Sequence, residues 1–123
     1  VREVVAQPLS ALVERGVLQG PALRDTVEAI VAPVRDTTAI VSACTHYLAV
    51  LPALRAALPQ LQTVIDPAAA LVQRHFEPAP GAAMRDVYWT TGDPEASRLA
   101  ARSAFGVDAP FEAIGLASTQ PAL

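Results

Sequence analysis

The stretch of residues 39–47 limits the fold of this chain more than any other. Residues 38–43 form a short apolar run without polar–apolar alternation, which predicts a strand buried on both faces, as in a parallel sheet covered by helices. The run ends on Cys44, the only cysteine, and Thr45, His46 and Tyr47 follow at once. Open α/β sheets bind ligands at the carboxyl ends of their strands, so this end is where chemistry is expected.

The rest of the chain alternates between strand-like and helix-like segments. Strands are predicted at residues 62–65, 87–90 and 111–116, and residues 4–6 are a further short candidate. Helices are predicted at residues 9–14, 21–34, 51–58, 66–76 and 93–104. This alternation indicates an α/β protein, and we expect a three-layer sandwich in which helices flank a mostly parallel sheet. We expect one domain or fragment over residues 1–123, with a loose tail from about residue 117.

Composition excludes several classes of protein. The nine basic residues other than histidine are all arginines and lie scattered, which does not resemble a nucleic-acid footprint. No apolar run approaches the roughly 18 residues of a membrane span. A single cysteine cannot form an internal disulfide, which favours a reducing compartment, and the charged N-terminus does not fit a signal peptide. We therefore expect a cytoplasmic protein, and the absence of an initial methionine suggests a piece of a longer one.

Cys44 is the first candidate for chemistry, although most lone cysteines are small buried hydrophobic residues. A thiol between a strand and a helix can meet free backbone N–H groups and a helix dipole, which stabilise the thiolate. His46 lies two residues away and can hold or share the proton. Thr45 offers a hydroxyl and an N–H that can bind a carboxylate. The neighbours of Cys44 therefore favour a functional interpretation.

Glu14 is the acid that we single out, on the condition that it orients His46. Without that contact it is one of twelve carboxylates and reads as a solvated helix residue. His75, the other histidine, lies among apolar and charged helix residues and receives no role. One cysteine and two histidines do not make a convincing ligand set, so no metal site is predicted. The isolated glycines also argue against a nucleotide-binding loop.

Four segments resemble the second half of bacterial glutamate racemases. Residues 43–47 are similar to the family's Gly-Cys-Thr-His-Tyr-Pro motif, and residues 7–14 to its Cys-Pro-Leu-Phe-Val-Pro-Leu-Val-Glu segment. Residues 64–66 resemble Val-Ile-Asp-Ser, and residues 88–94 resemble a segment near the family's C-terminus. The resemblance covers most of the chain, from about residue 7 to residue 116, with the motifs in the family's order.

The resemblance implies a cofactor-independent interconversion of L- and D-glutamate that supplies D-glutamate for peptidoglycan. In this family, two thiols on opposite faces of the substrate take and return the α-proton. The resemblance implies that Cys44 is the second thiol and that His46 assists its proton transfer. It also implies that Glu14 supports His46 and that Thr45 binds the substrate carboxylate. The substrate would be a small molecule, with no role for nucleic acid or membrane.

The chain also departs from the family pattern. Its flanking substitutions are Gln7, Ala43, Leu48 and Pro67, where the family has Cys, Gly, Pro and Ser. The family's Asp-Ser-Gly motif and the Asn-Thr segment with the first catalytic cysteine are absent. The chain would then need a partner half or domain that carries the other thiol, and we expect it to be inactive alone. A homodimer is an open alternative, as are a one-thiol decarboxylase or isomerase of the superfamily and a non-catalytic half-domain.

Overall fold

The computed structural model of the chain describes residues 1–76 and 86–115. The chain divides into two compact units, Val1–Gly81 and Ala82–Leu123, and each is described by itself. Both contain helices and parallel strands, so the predicted α/β class is confirmed. The three-layer sandwich and the single domain remain predictions.

The first unit contains five α-helices and two strands among its described residues. In chain order these are α1 (Gln7–Glu14), α2 (Pro21–Val31), a 3₁₀ turn (Ala32–Val34), β1 (Ala39–Val41), α3 (His46–Ala49), α4 (Leu51–Ala57), β2 (Thr63–Ile65) and α5 (Pro67–His75). The prediction of a strand at residues 4–6 is wrong, because these residues precede α1 and have no regular secondary structure. None of the described helices in the chain has the length and hydropathy needed to cross a membrane.

Local sequence signals account for the helix ends. Proline occupies the first turn of α1, α2, α4 and α5, where its missing N–H costs no hydrogen bond. Gly16, which follows α1, has a φ of 72°, a conformation that glycine adopts without strain. The Asp66 side chain caps α5 by accepting a 3.0 Å hydrogen bond from Ala68 N–H.

The hydrophobic core of the first unit lies where α2 packs against α1 and α4. In α2, Leu23, Val27 and Val31 recur at helical spacing on one face and are buried, whereas Ile30 is only partly buried. The other buried hydrophobic side chains come from α1 and from the chain around α4: Leu9, Leu12, Val13, Val50, Leu54, Leu58 and Leu61. Because α1 also packs against α3, the core fixes α1 next to the segment that carries the candidate thiol.

β1 and β2 form a parallel pair in which Ile40 lies beside Val64. The prediction that β1 is buried on both faces is wrong, since Val41 is 63% exposed and Ile40 only half-buried. The reason is that the helices of this unit bury their apolar stripes against one another rather than over both faces of the strand pair. α5, which follows β2, contains no buried residue.

The second unit is smaller and contains β3 (Tyr88–Thr90), α6 (Pro94–Phe105) and β4 (Phe111–Ala113). The two strands pair in parallel, and the rings of Tyr88 and Phe111 lie 5.3 Å apart across them. Asp93 caps α6 through a 2.7 Å hydrogen bond to its side chain from Ala96 N–H. The strands at residues 87–90 and 111–116 and the helix at 93–104 are therefore confirmed to within a few residues. The predicted tail from residue 117 lies outside the described residues.

Candidate active site

Cys44 lies in the short connection between β1 and α3. Ser42 N–H donates to the Ile65 carbonyl at 2.9 Å, which continues the parallel ladder for one residue past β1. The Ser42 hydroxyl then donates to the Cys44 carbonyl at 2.8 Å, and Tyr47 N–H donates to the same oxygen at 3.2 Å. These bonds fix the backbone of Cys44 at the carboxyl end of the strand, while its side chain stays partly exposed.

His46 is the direct side-chain partner of the thiol. Its Nδ1 atom lies 3.3 Å from Cys44 Sγ, which is hydrogen-bonding distance for sulfur. A neutral imidazole can accept the thiol proton at Nδ1, and the resulting imidazolium can donate Nδ1–H back to the thiolate. The pair therefore has the geometry of a nucleophile or base activated by a neighbouring histidine.

Glu14 reaches the opposite nitrogen of the same ring. Its Oε1 atom lies 3.5 Å from His46 Nε2, and the packing of α1 against α3 brings the two residues together across 32 positions of sequence. A carboxylate at Nε2 favours a proton on that nitrogen, which leaves Nδ1 facing the sulfur. The structure therefore brings Glu14 into contact with His46, and its role in orienting the imidazole stays a prediction. The Glu14 side chain is 63% exposed, so the interaction is screened by solvent.

Ser10 is a site neighbour that the sequence did not single out. Its Oγ lies 3.9 Å from Cys44 Sγ, and the residue is 7% exposed. Ser10 and Glu14 are four residues apart on α1, so they project from the same face of the helix. In the sequence, the signal that could have identified Ser10 is a serine among apolar residues, one helical turn before the candidate acid.

Thr45 stands apart from this cluster in its contacts. It immediately precedes α3 and is exposed, its carbonyl accepts from Leu48 N–H at 3.2 Å, and its hydroxyl makes no capping bond to the helix. Its role as a carboxylate ligand remains a prediction. His75, at the end of α5, is exposed, so the structure likewise gives no reason to assign it a role.

A surface cavity of the first unit does not coincide with this chemistry. It has a volume of about 540 Å³ and lies between α2 and α4, bounded by Leu18, Leu23, Val27 and Ala53 among others. None of Cys44, His46, Glu14 and Ser10 lines it. The polar side chains that line this cavity, Gln19, Arg24 and Glu28, include neither a thiol nor a histidine, whereas the pair at Cys44 has both in contact.

The fold and the cluster together define an α/β protein with a strand-end thiol, a histidine in contact with it and a carboxylate behind the histidine. Comparison with known proteins agrees with the resemblance noted above. A glutamate racemase of Pseudomonas aeruginosa strain UCBPP-PA14 is 36% identical over 106 residues, covering 76% of this chain and 40% of the relative. A glutamate racemase of Pseudomonas putida strain F1 is 32% identical over 110 residues, covering 78% and 41%. That of Pseudomonas syringae pv. tomato is 36% identical over 106 residues, covering 75% and 38%.

These matches establish that the chain is related to the glutamate racemases, through their C-terminal portion. The chain spans about two fifths of the length of these relatives. No protein-family profile matches the chain.

Proposed function

We propose that this chain supplies one of the two thiol half-sites of a cofactor-independent enzyme that interconverts L- and D-glutamate. The observation that carries the proposal is the 3.3 Å contact between Cys44 Sγ and His46 Nδ1, with Glu14 Oε1 3.5 Å from the other ring nitrogen. The relationship to the glutamate racemases supports the substrate and the reaction. The sequence contains one cysteine, so the second thiol would come from a partner half or domain.

The proposed chemistry is a pair of proton transfers. In one direction the Cys44 thiolate takes the α-proton of glutamate and becomes a thiol, while the carbon keeps the electron pair and the partner's thiol returns a proton to the opposite face. In the other direction Cys44 is the donor, and its sulfur ends as a thiolate. Because an α-proton beside a carboxylate is very weakly acidic, the site must also stabilise the charge that develops on the substrate.

Each remaining residue has a defined part in this proposal. When Cys44 is the base, His46 first takes the thiol proton at Nδ1, the thiolate then takes the α-proton, and the imidazolium releases its proton to solvent. When Cys44 is the donor, its proton goes to the substrate and the imidazolium then reprotonates the sulfur. Glu14 stabilises the imidazolium and keeps the ring oriented. Thr45, at the start of α3, binds the substrate carboxylate through its hydroxyl and N–H. The product, D-glutamate, would serve peptidoglycan synthesis in the cytoplasm.

The test is to supply the missing half. The chain would be combined with the N-terminal portion of the Pseudomonas aeruginosa racemase, and conversion of L-glutamate would be followed by circular dichroism. We expect conversion by the combination, none by the chain alone, and none by the combination containing Cys44→Ser. Exchange of the α-proton for deuterium, followed by NMR, measures proton removal separately from inversion.

Two controls make this result interpretable. The C-terminal portion of the same Pseudomonas racemase, supplied to the same N-terminal portion, establishes that the two parts can assemble. If that pair is active and the pair with this chain is not, the proposal is wrong. His46→Asn should lower the rate by about 10²–10⁴-fold, the usual contribution of a positioned acid–base group. The matched variant His75→Asn, at the other histidine, should leave the rate unchanged.

A further inference from the structure

Cys44 Sγ has a second polar neighbour besides His46. Ser10 Oγ lies 3.9 Å from the sulfur, near the long limit for a hydrogen bond to sulfur. Hydrogen bonds at catalytic groups are often long in unliganded structures and shorten when the reacting state forms. Among residues 1–76 and 86–115, Cys44 Sγ is the one hydrogen-bond partner of the Ser10 hydroxyl.

Burial makes this hydroxyl significant. Ser10 is 7% exposed and lies among Leu9, Leu12 and Val13 on the buried side of α1. A buried hydroxyl costs free energy unless it is hydrogen-bonded, and the Cys44 sulfur is the partner that the fold provides. Ser10 and His46 reach the sulfur from two different helices, α1 and α3.

We infer that Ser10 is a positioning residue for the Cys44 thiolate, to which its hydroxyl donates a hydrogen bond. As the thiol proton moves from Sγ to His46 Nδ1, the sulfur gains a negative charge and becomes a better acceptor. The Ser10 hydroxyl keeps its own proton and turns it toward the sulfur, so no other atom changes its bonding. This assignment deepens the proposed function, on which it rests for its meaning in turnover.

Other titratable groups also face this end of the strand pair. His46 on α3 contacts the sulfur, and Glu14 on α1 contacts His46. On the neighbouring strand β2, the carbonyl of Ile65 accepts a hydrogen bond from Ser42 N–H, and Asp66 is the next residue. The Asp66 side chain accepts a hydrogen bond from Ala68 N–H. Ser10 carries no charge at any relevant pH, so its removal changes a hydrogen bond without adding or removing a titrating group.

The single cysteine allows a direct test that does not depend on racemase activity. The rate of Cys44 alkylation by iodoacetamide, measured from low to high pH in the intact chain, reports the thiolate fraction, because the thiolate is the nucleophile. We expect Ser10→Ala to slow alkylation at neutral pH by about fivefold, the factor that corresponds to a net hydrogen bond of about 1 kcal/mol. The midpoint of the profile should move to higher pH, while the plateau at high pH stays the same.

The matched control is Ser42→Ala. Ser42 is also a buried serine beside Cys44, at 8% exposure, but its hydroxyl bonds to the Cys44 carbonyl and not to the sulfur. We expect Ser42→Ala to shift the midpoint less than Ser10→Ala does, because the Ser42 hydroxyl holds the Cys44 backbone and does not contact the sulfur. Ser10→Thr retains a hydroxyl and should restore most of the wild-type profile. Far-UV circular dichroism and thermal unfolding identify any variant that does not fold, and the ultraviolet absorbance of the thiolate gives the same midpoint without a reagent.

The outcomes separate the hypotheses. A Ser10→Ala profile displaced by the same factor at every pH, plateau included, would mean that Ser10 controls only access to the sulfur, and would overturn the inference. An unchanged profile, or an equal shift in Ser42→Ala, would do the same. A shifted midpoint in a chain that never racemises glutamate with any partner would support the role of Ser10 while refuting the proposed function.

Discussion

Glu14→Gln offers a quantitative test of the contact between α1 and α3. The substitution keeps the size of the side chain and removes its charge, 3.5 Å from His46 Nε2. Two unit charges at that distance in bulk water attract by about 1 kcal/mol. Exposed ion pairs in proteins are measured at about 0.2–1 kcal/mol, and with Glu14 63% exposed the water-like value is appropriate. The two estimates agree on an upper limit near 1 kcal/mol.

This free energy appears in the reactivity of Cys44. The carboxylate stabilises the imidazolium, and the imidazolium stabilises the thiolate, so loss of the charge lowers the thiolate fraction. We expect Glu14→Gln to slow alkylation of Cys44 at neutral pH by about 1.4-fold to fivefold, the factor that corresponds to about 0.2–1 kcal/mol. The assay is iodoacetamide labelling of the chain followed by mass spectrometry, at low and high ionic strength.

Salt dependence distinguishes this mechanism from a structural effect. An exposed ion pair is screened when the Debye length falls to about 3 Å at 1 M salt, so the difference between wild type and variant should shrink there. Arg15→Gln, at the next exposed position of the chain, is a control for removing a charge near the end of α1. A Glu14→Gln effect above about tenfold, or one that persists unchanged in high salt, would refute a solvent-screened interaction. No effect at low salt would mean that Glu14 does not support the thiol–histidine pair.

Three predictions concern the stability of the two units. Leu9→Ala should lower the free energy of unfolding, measured by urea denaturation, by about 2–5 kcal/mol, because Leu9 is 1% exposed. Leu71 is 57% exposed, so Leu71→Ala should change the same free energy by no more than about 0.5 kcal/mol. Asp93→Ala removes the cap of α6 and should cost about 0.5–2 kcal/mol, while Asp93→Asn should cost much less, as measured by thermal unfolding. The hydrogen bond and charge of Arg98 hold the pKa of Glu95 below its ordinary value, so Arg98→Ala should raise that pKa in a carboxyl NMR titration. A lowered carboxyl pKa stabilises the folded state at pH values above the group's ordinary pKa. The stability that Arg98 confers through Glu95 should therefore be lost as the pH falls through the lowered pKa. A difference in stability between wild type and Arg98→Ala that grew toward acid pH would contradict this.

Features set by neighbouring residues were readable from the sequence. The caps Asp66 and Asp93 act on N–H groups two or three residues away, so a short pattern contains both partners. The alternation of strands and helices and the apolar stripe of α2 follow from the spacing of side chains along one element. Cys44 and His46 are two residues apart at the end of a strand, and that proximity already pointed to a thiol–histidine pair.

The tertiary structure decided what depends on contacts between distant segments. Glu14 meets His46, and Ser10 meets Cys44 across 34 residues, only because the buried face of α1 packs beside α3. The exposure of Val41 also could not be predicted from the sequence, because an apolar run shows that a strand can be buried but not which surfaces cover it. The sequence therefore determined most of the elements and the thiol with its histidine, but not α3. Packing between helices far apart in the chain decided which hydroxyl and which carboxylate surround the thiol and the histidine.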